Sequence, residues 1–122
     1  PIKATWSSLI QPSPVMLFKY SAITFNGHRI HYDRPYAIDE EGYPGLVVHG
    51  PLTATFLMNL CRREKPNSTL REFSFRAIAP IYDTGPFSTN ATTVDNNPNH
   101  WTMWAANIQG GVCMKAKATF FC

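Results

Sequence analysis

Three of the chain's four histidines, His28, His31 and His49, gather ahead of its midpoint. Imidazole is the side chain whose ordinary pKa lies closest to neutrality, so such a group admits three kinds of chemistry. It can bind a metal, although the spacing of His28 and His31 is loose, no cysteine lies near and a third ligand has to be guessed. It can serve the structure by capping turns and helix ends. It can also move protons as a general acid or base. The segment Asn26-Gly27-His28-Arg29-Ile30-His31-Tyr32-Asp33 adds an amide at Asn26 and a carboxylate at Asp33 to the first two histidines. His49 stands directly before Gly50-Pro51, where a helix can begin. Residue types and spacing leave all three readings open.

These groups must be held by the elements around them. Ser13-Pro14 offers an N-cap followed by proline at the first helical position, and Leu17, Phe18, Ser21, Ala22 and Phe25 follow at helical spacing. A helix is predicted over about 14–25, stopped by the breaker pair Asn26-Gly27. Residues 26–33 read as a polar turn, a short helix can begin at Arg34-Pro35, and residues 41–45 read as a loop. His49-Gly50-Pro51 opens the strongest helix, about 51–63. Its body from Leu52 to Leu60 is apolar almost all round, as expected of a helix buried within its domain. Arg62 and Arg63 close it where cations suit the helix dipole.

After Pro66 the pattern changes to strands, over about 70–79, 86–94, 100–108 and 112–120. Phe73, Phe75, Ala77 and Ala79 share one face of the first. Val112, Met114, Ala116, Ala118 and Phe120 are predicted inward on the last, with Lys115, Lys117 and Thr119 outward. Residues 1–13 read as a leader. The expected order is helices first and then an antiparallel meander, an α+β domain whose sheet wraps one buried helix.

Composition narrows the class. A chain of 122 residues fits one domain, and 44% hydrophobic with 16% charged residues is too apolar for a disordered chain. So few charges point to an oligomer, in which a partner covers apolar surface. The net charge of +3 is spread thinly, which argues against a nucleic-acid partner. Three cysteines with no CxxC spacing suggest neither a disulfide framework nor zinc, and fit a reducing compartment. No signal peptide is found and no apolar run nears the ~20 residues of a membrane span. In that context Asn67-Ser68-Thr69 and Asn90-Ala91-Thr92 match the glycosylation pattern by chance. The chain begins at Pro1 and reads as processed or as a fragment.

The segment from Tyr20 to Asp33, Tyr-Ser-Ala-Ile-Thr-Phe-Asn-Gly-His-Arg-Ile-His-Tyr-Asp, followed by Gly45-Leu46-Val47-Val48-His49-Gly50-Pro51-Leu52, resembles the MaoC-like hydratases and dehydratases. It is most similar to the branch of mesaconyl/itaconyl-CoA hydratases and mitochondrial-type 3-hydroxyacyl-thioester dehydratases, where an N-x-H-R-I-H-Y-D segment is typical. The resemblance covers roughly residues 14–63. It implies a hot-dog fold with residues 51–63 as the central helix, and one hot-dog domain over 1–122. It also implies pairing with a second hot dog, either as a homodimer or as the catalytic half of a double hot-dog chain. The implied substrate is an acyl thioester of CoA or an acyl-carrier protein, with no separate cofactor, no metal, no nucleic acid and no membrane. The implied location is the cytoplasm of a bacterium or the mitochondrial matrix of a eukaryote.

Adding water across an α,β-unsaturated thioester requires a base for the water, an acid for the α-carbon and stabilisation of an enolate-like oxygen. The (R)-specific hydratases use D-x-N-P-x-H, an aspartate and a histidine holding one water. On this chain the histidine falls on His31 and the aspartate on Asn26, which cannot titrate. His28 and Arg29 replace the Asn and Pro of that pattern. The resemblance therefore assigns proton transfer to His31 and water positioning to Asn26. His28 or Asp33 is then expected as a second titrating group or as the group that fixes the imidazole tautomer. Gly50, at the helix N-terminus where the dipole favours negative charge, is expected to bind the oxyanion, with His49 lining that site; Pro51 has no N–H to give. A non-catalytic module that binds acyl thioesters is the alternative, and a hot-dog thioesterase a more distant one, since residues 51–63 contain no Asp or Glu. No GxSxG elbow and no glycine-rich phosphate loop occur. Arg29, Arg34, Arg71 and Arg76 read as solvated cations that a carrier's phosphates could meet, and Trp101 and Trp104 as packing.

Overall fold

The computed structural model describes residues 2–122. Its elements run β1 (Trp6–Ile10), α1 (Pro14–Ile23), a 3-10 turn (Arg29–His31), a π-helical turn (Tyr36–Glu40), α2 (Gly50–Glu64), β2 (Leu70–Ala77), β3 (Phe87–Val94), β4 (Asn97–Ala106) and β5 (Val112–Phe120). The strands form one antiparallel sheet in the order β1-β3-β4-β5-β2. Helix α2 packs against all five strands. Leu52, Ala54, Leu57, Leu60 and Cys61 on the helix are buried in one core with Ala91, Met103, Ala105, Ala116 and Ala118 of the sheet. Alanines at those strand positions leave room for a helix to lie close to a curved sheet. The sheet therefore wraps one buried helix, as expected.

Four expectations need correction. Residues 1–13 are not simply a leader, because residues 6–10 form edge strand β1, paired with β3 from Trp6↔Ala91 to Ile10↔Phe87. Its inward positions are Trp6, Ser8 and Ile10, so a serine interrupts the apolar alternation that would reveal a strand. Trp6 stacks on the buried Trp101 at 4.4 Å between ring centroids. The sheet is also more than a meander. Only β3, β4 and β5 follow one another, β3 and β4 joined through Asp95 and Asn96, both with positive φ as a tight hairpin turn requires.

On β5 the inward position is Cys113 rather than Val112, which is exposed. The β4–β5 register shifts between Ala105 and Ala106, and that irregularity turns the first residue of β5 outward. Helix α1 is capped by Ser13, whose Oγ accepts the Met16 N–H at 3.1 Å. It ends at Ile23, two residues earlier than predicted, because Phe25 adopts φ +55° and stands 95% exposed. The short helix expected near Arg34-Pro35 is the π-helical turn. No helix among the described residues is long and apolar enough to cross a membrane.

Candidate active site

The site is assembled on a three-residue bridge, Leu46–Val48, between the histidine turn and the loop after β2. The Val47 N–H donates to the Ile30 carbonyl at 2.9 Å, and the Val48 N–H to the Ile81 carbonyl at 2.8 Å. Asp83 grips the bridge twice. Its N–H donates to the Leu46 carbonyl at 2.9 Å, and its Oδ1 accepts the Leu46 N–H at 2.9 Å. The same carboxylate, only 2% exposed, receives both terminal nitrogens of Arg34. Gly45 is required beside it, since a Cβ there would stand 2.7 Å from Asp83 Oδ1 and 2.9 Å from Thr84 Cγ2.

His31 ends the 3-10 turn, and its Nδ1 lies 2.7 Å from the Val47 carbonyl. A carbonyl can only accept, so Nδ1 carries the proton and Nε2 keeps its lone pair while the ring is neutral. Burial pulls the His31 pKa below its ordinary value of 6.5. The bond to Val47 opposes that shift and nearby His28 adds to it. His49 lies against the other ring, with centroids 3.8 Å apart and planes inclined by 19°. Its Nε2 is 2.8 Å from Ser21 Oγ on α1, whereas its Nδ1 is buried with no partner. Burial, reinforced by His31, lowers the His49 pKa to about 4, so its ring is neutral at physiological pH.

His49 is also the residue before α2, yet its side chain does not cap the helix. Its carbonyl accepts the Thr53 N–H at 3.0 Å and the Thr53 hydroxyl at 3.2 Å. The Gly50 N–H is left without an intrahelical acceptor, as at any helix start, and the space beside its Cα is open. His31 and Gly50 line one cavity of about 340 Å³, together with Thr53, Ile78, Ile81 and Cys113 among others. That volume is in the usual range for a small-molecule site. Among the described residues that line it, His31 is the one imidazole, and burial pushes the Cys113 thiol up.

His49, expected to line this site, is instead buried against the His31 ring and does not line the cavity, and the remaining candidates also stand outside it. His28 is exposed, with its ring 5.9 Å from that of His31. Its backbone N–H donates to Asn26 Oδ1 at 3.1 Å, so the Asn26 carbonyl oxygen closes the turn. Asn26 lines a separate depression with Phe18, Phe25 and Tyr32. Asp33 Oδ2 accepts Arg29 Nε at 3.1 Å and Nη2 at 2.9 Å, and Oδ1 accepts the Tyr36 N–H at 3.2 Å. The Arg29 guanidinium, with help from Tyr36, holds that carboxyl below the usual range. The structure thus brings His31, His49 and Gly50 together and leaves Asn26, His28 and Asp33 as flanking groups. Sequence reasoning assigned no role to Ser21, Val47 or Asp83, and read Arg34 as a solvated cation rather than as the partner of Asp83. Ser21 alone left a trace, as the polar member of the inward face of α1. Among the described residues no three His, Cys, Asp or Glu side chains are grouped as a metal site.

Residues 1–83 match the family model of hydroxyacyl-thioester dehydratase type 2. Over 87 residues the chain is 54% identical to the mesaconyl-C(4)-CoA hydratase of Chloroflexus aurantiacus, a match covering 71% of this chain and 31% of that protein. Over 82 residues it is 38% identical to the mitochondrial hydroxyacyl-thioester dehydratase type 2 of Schizosaccharomyces pombe, covering 66% of this chain and 27% of the relative. The match thus spans about a third of the length of these curated relatives. Among solved structures, an (R)-hydratase from A. caviae involved in PHA biosynthesis superposes with a TM-score of 0.78 at 14% identity, covering 98% of this chain and 96% of that one. At that identity the likeness establishes the fold, which is the hot-dog fold.

Proposed function

The chain belongs to the hydroxyacyl-thioester dehydratase type 2 family, and from that premise we propose that it adds or removes water across an α,β-unsaturated acyl thioester of CoA or an acyl-carrier protein. One observation supports this most. The Val47 carbonyl fixes the His31 tautomer so that Nε2 is the free base, on a side chain lining the same cavity as the unpaired Gly50 N–H.

In the hydration direction, Nε2 takes a proton from water as the water oxygen bonds to the β-carbon. The carbon–carbon π pair moves toward the thioester carbonyl, whose oxygen gains charge and is held by the Gly50 N–H and the positive end of α2. The proton on His31 is then delivered to the α-carbon, which restores the neutral imidazole and completes the addition of one water. Dehydration is the reverse. Asp33, committed to Arg29, is a poor proton donor at neutral pH, and His28, with its ring 5.9 Å from that of His31, is the better placed second acid or base. Asn26, with its Oδ1 on the His28 N–H and its side chain outside the cavity, supports the histidine turn in this reading rather than the reacting water.

Replacing His31 with alanine while following hydration of short enoyl-, mesaconyl- and itaconyl-CoA tests this. Loss of about 10²-fold or more in kcat/KM is expected for removal of the proton-transfer group. Full activity in His31→Ala would sink the assignment. Saturable binding without turnover by the unmodified chain would instead identify an acyl-thioester-binding module, and release of free CoA thiol would identify a thioesterase.

The partner in this reading is a second hot dog, from another copy or from a companion half, seated along β2. Edge strand β1 has five residues, and the Ser7 carbonyl on it is already taken by Arg63 at 3.0 Å. Edge strand β2 has eight residues, leaves Phe75 47% exposed, and runs directly into the cavity wall at Ala77–Ile81. An open edge of that kind favours pairing with another strand. A bacterial cytoplasm or a mitochondrial matrix, both reducing, suits the free Cys61, Cys113 and Cys122.

A further inference from the structure

We propose that His49 is the positioning residue of His31: a neutral ring, anchored by Ser21, on which the His31 imidazole lies flat and which shuts water from that face. The inference rests on the reading of His31 as the proton-transfer group. His49 is 1% exposed, and neither of the tasks its position would suggest accounts for it. As the residue before α2 it caps nothing with its side chain, unlike the Ser, Thr, Asp or Asn usual there. As a packing residue it is costly, since its Nδ1 is buried without a partner, where a hydrocarbon ring would leave no such atom.

What the ring does make is specific. Its Nε2 bonds Ser21 Oγ at 2.8 Å, the Tyr20 ring packs against it edge-to-face with centroids 4.7 Å apart, and the His31 ring stacks on it with centroids 3.8 Å apart. A buried donor without an acceptor is rarer than a bare acceptor, so Nε2 carries the proton toward Ser21 and Nδ1 is left bare. Helix α1 thereby reaches the proton-transfer group through Ser21 and His49, while Val47 holds the same group by its edge.

The polar surroundings favour one proton for the pair. Tyr20 and Ser21 face it from α1, His28 from the histidine turn, the Val47 carbonyl from the bridge and Thr53 from α2, with Cys113 on the cavity wall. Asp33 beside the turn and Asp83 hydrogen-bonded to the bridge are bound to Arg29 and Arg34. Two charged imidazoles in contact without a carboxylate would repel each other, and the more deeply buried one stays neutral.

The histidine ring signals of the folded chain, followed by NMR from acid to neutral pH, read this without any substrate. In His49→Ala, water reaches the uncovered face of His31, and its titration moves up toward 6.5. In His49→Phe the flat apolar floor is restored, and His31 titrates as in the unmodified chain. Where hydration is measurable, the acidic limb of the kcat/KM profile follows the same order, with kcat lowered about tenfold in the Ala variant and largely recovered in the Phe variant. Should His49→Ala fail to fold, Ser21→Ala, which frees the anchor, is read for the same upward movement. An unmoved His31 titration in the folded variant, or Phe shifting it as much as Ala, overturns the proposal. A titration that moves as described in a chain that hydrates nothing overturns the hydratase reading instead and leaves the positioning role of His49 standing.

Discussion

His49 sets a pH dependence that can be worked out from its own protonation. Its folded pKa is about 4, against about 6.5 in the unfolded chain, so between those values the unfolded state binds the extra proton. Stability therefore rises with pH across that window and is fully present above about 6.5; acidification toward 4 removes up to about 3 kcal/mol, and His31 shifts in the same sense. Urea midpoints measured between pH 4 and pH 7 should fall on acidification, and should fall less in His49→Phe, which has no such proton to bind. A midpoint independent of pH would contradict the buried neutral ring. At this scale the sequence was partly legible. The histidines drew attention by type, the resemblance picked out His31 and Gly50 among the candidates, and the cavity does unite His31 with Gly50. Their partners were not readable, because Val47 acts through its backbone and Ser21 meets His49 from 28 positions away.

Between the residues and the fold stands the Leu46–Val48 bridge, whose position is fixed by Asp83 from the other side. Removing that carboxylate leaves the Leu46 N–H and the Arg34 guanidinium without their acceptor. Asp83→Ala should cost about 2–3 kcal/mol, at or below the range for breaking a buried pair because Arg34 is partly exposed. It should also lower kcat, since the bridge holds the carbonyl that orients His31. Asp83→Asn, which retains an oxygen for Leu46, should lose less on both counts. Denaturation curves and hydration kinetics on the two variants check this, and equal losses would argue that the charge rather than the bridge matters. Elements differed in how plainly they could be read. The all-round apolar body of α2 and the alternation on β5 survive in the structure. Strand β1 was hidden by Ser8 at an inward position, and the outward turn of Val112 by an irregularity in pairing that depends on β4. Such features are properties of two strands together, so no single stretch of sequence announces them.

For the molecule as a whole, the scarcity of charge pointed to covered surface, and the structure supplies two apolar regions for it. One lies on α1 and its exit, where Phe18 and Phe25 are exposed; the other is the β2 edge with Phe75 and Ile78. The edge is the stronger ground for pairing because it offers unpaired backbone as well as side chains, and because it ends at the cavity that His31 lines. Pairing there would cover the open wall around Ile78 and shield the proposed hydration from bulk water. Light scattering on the chain should therefore give twice the mass of one copy. Phe75→Asp combined with Ile78→Asp should reduce it to one copy and depress hydration, while a charge placed at the exposed Phe25 should leave the mass unchanged. If the edge variant still pairs and the Phe25 variant does not, the α1 surface is the interface, and the cavity then has to be closed by something other than a neighbouring strand.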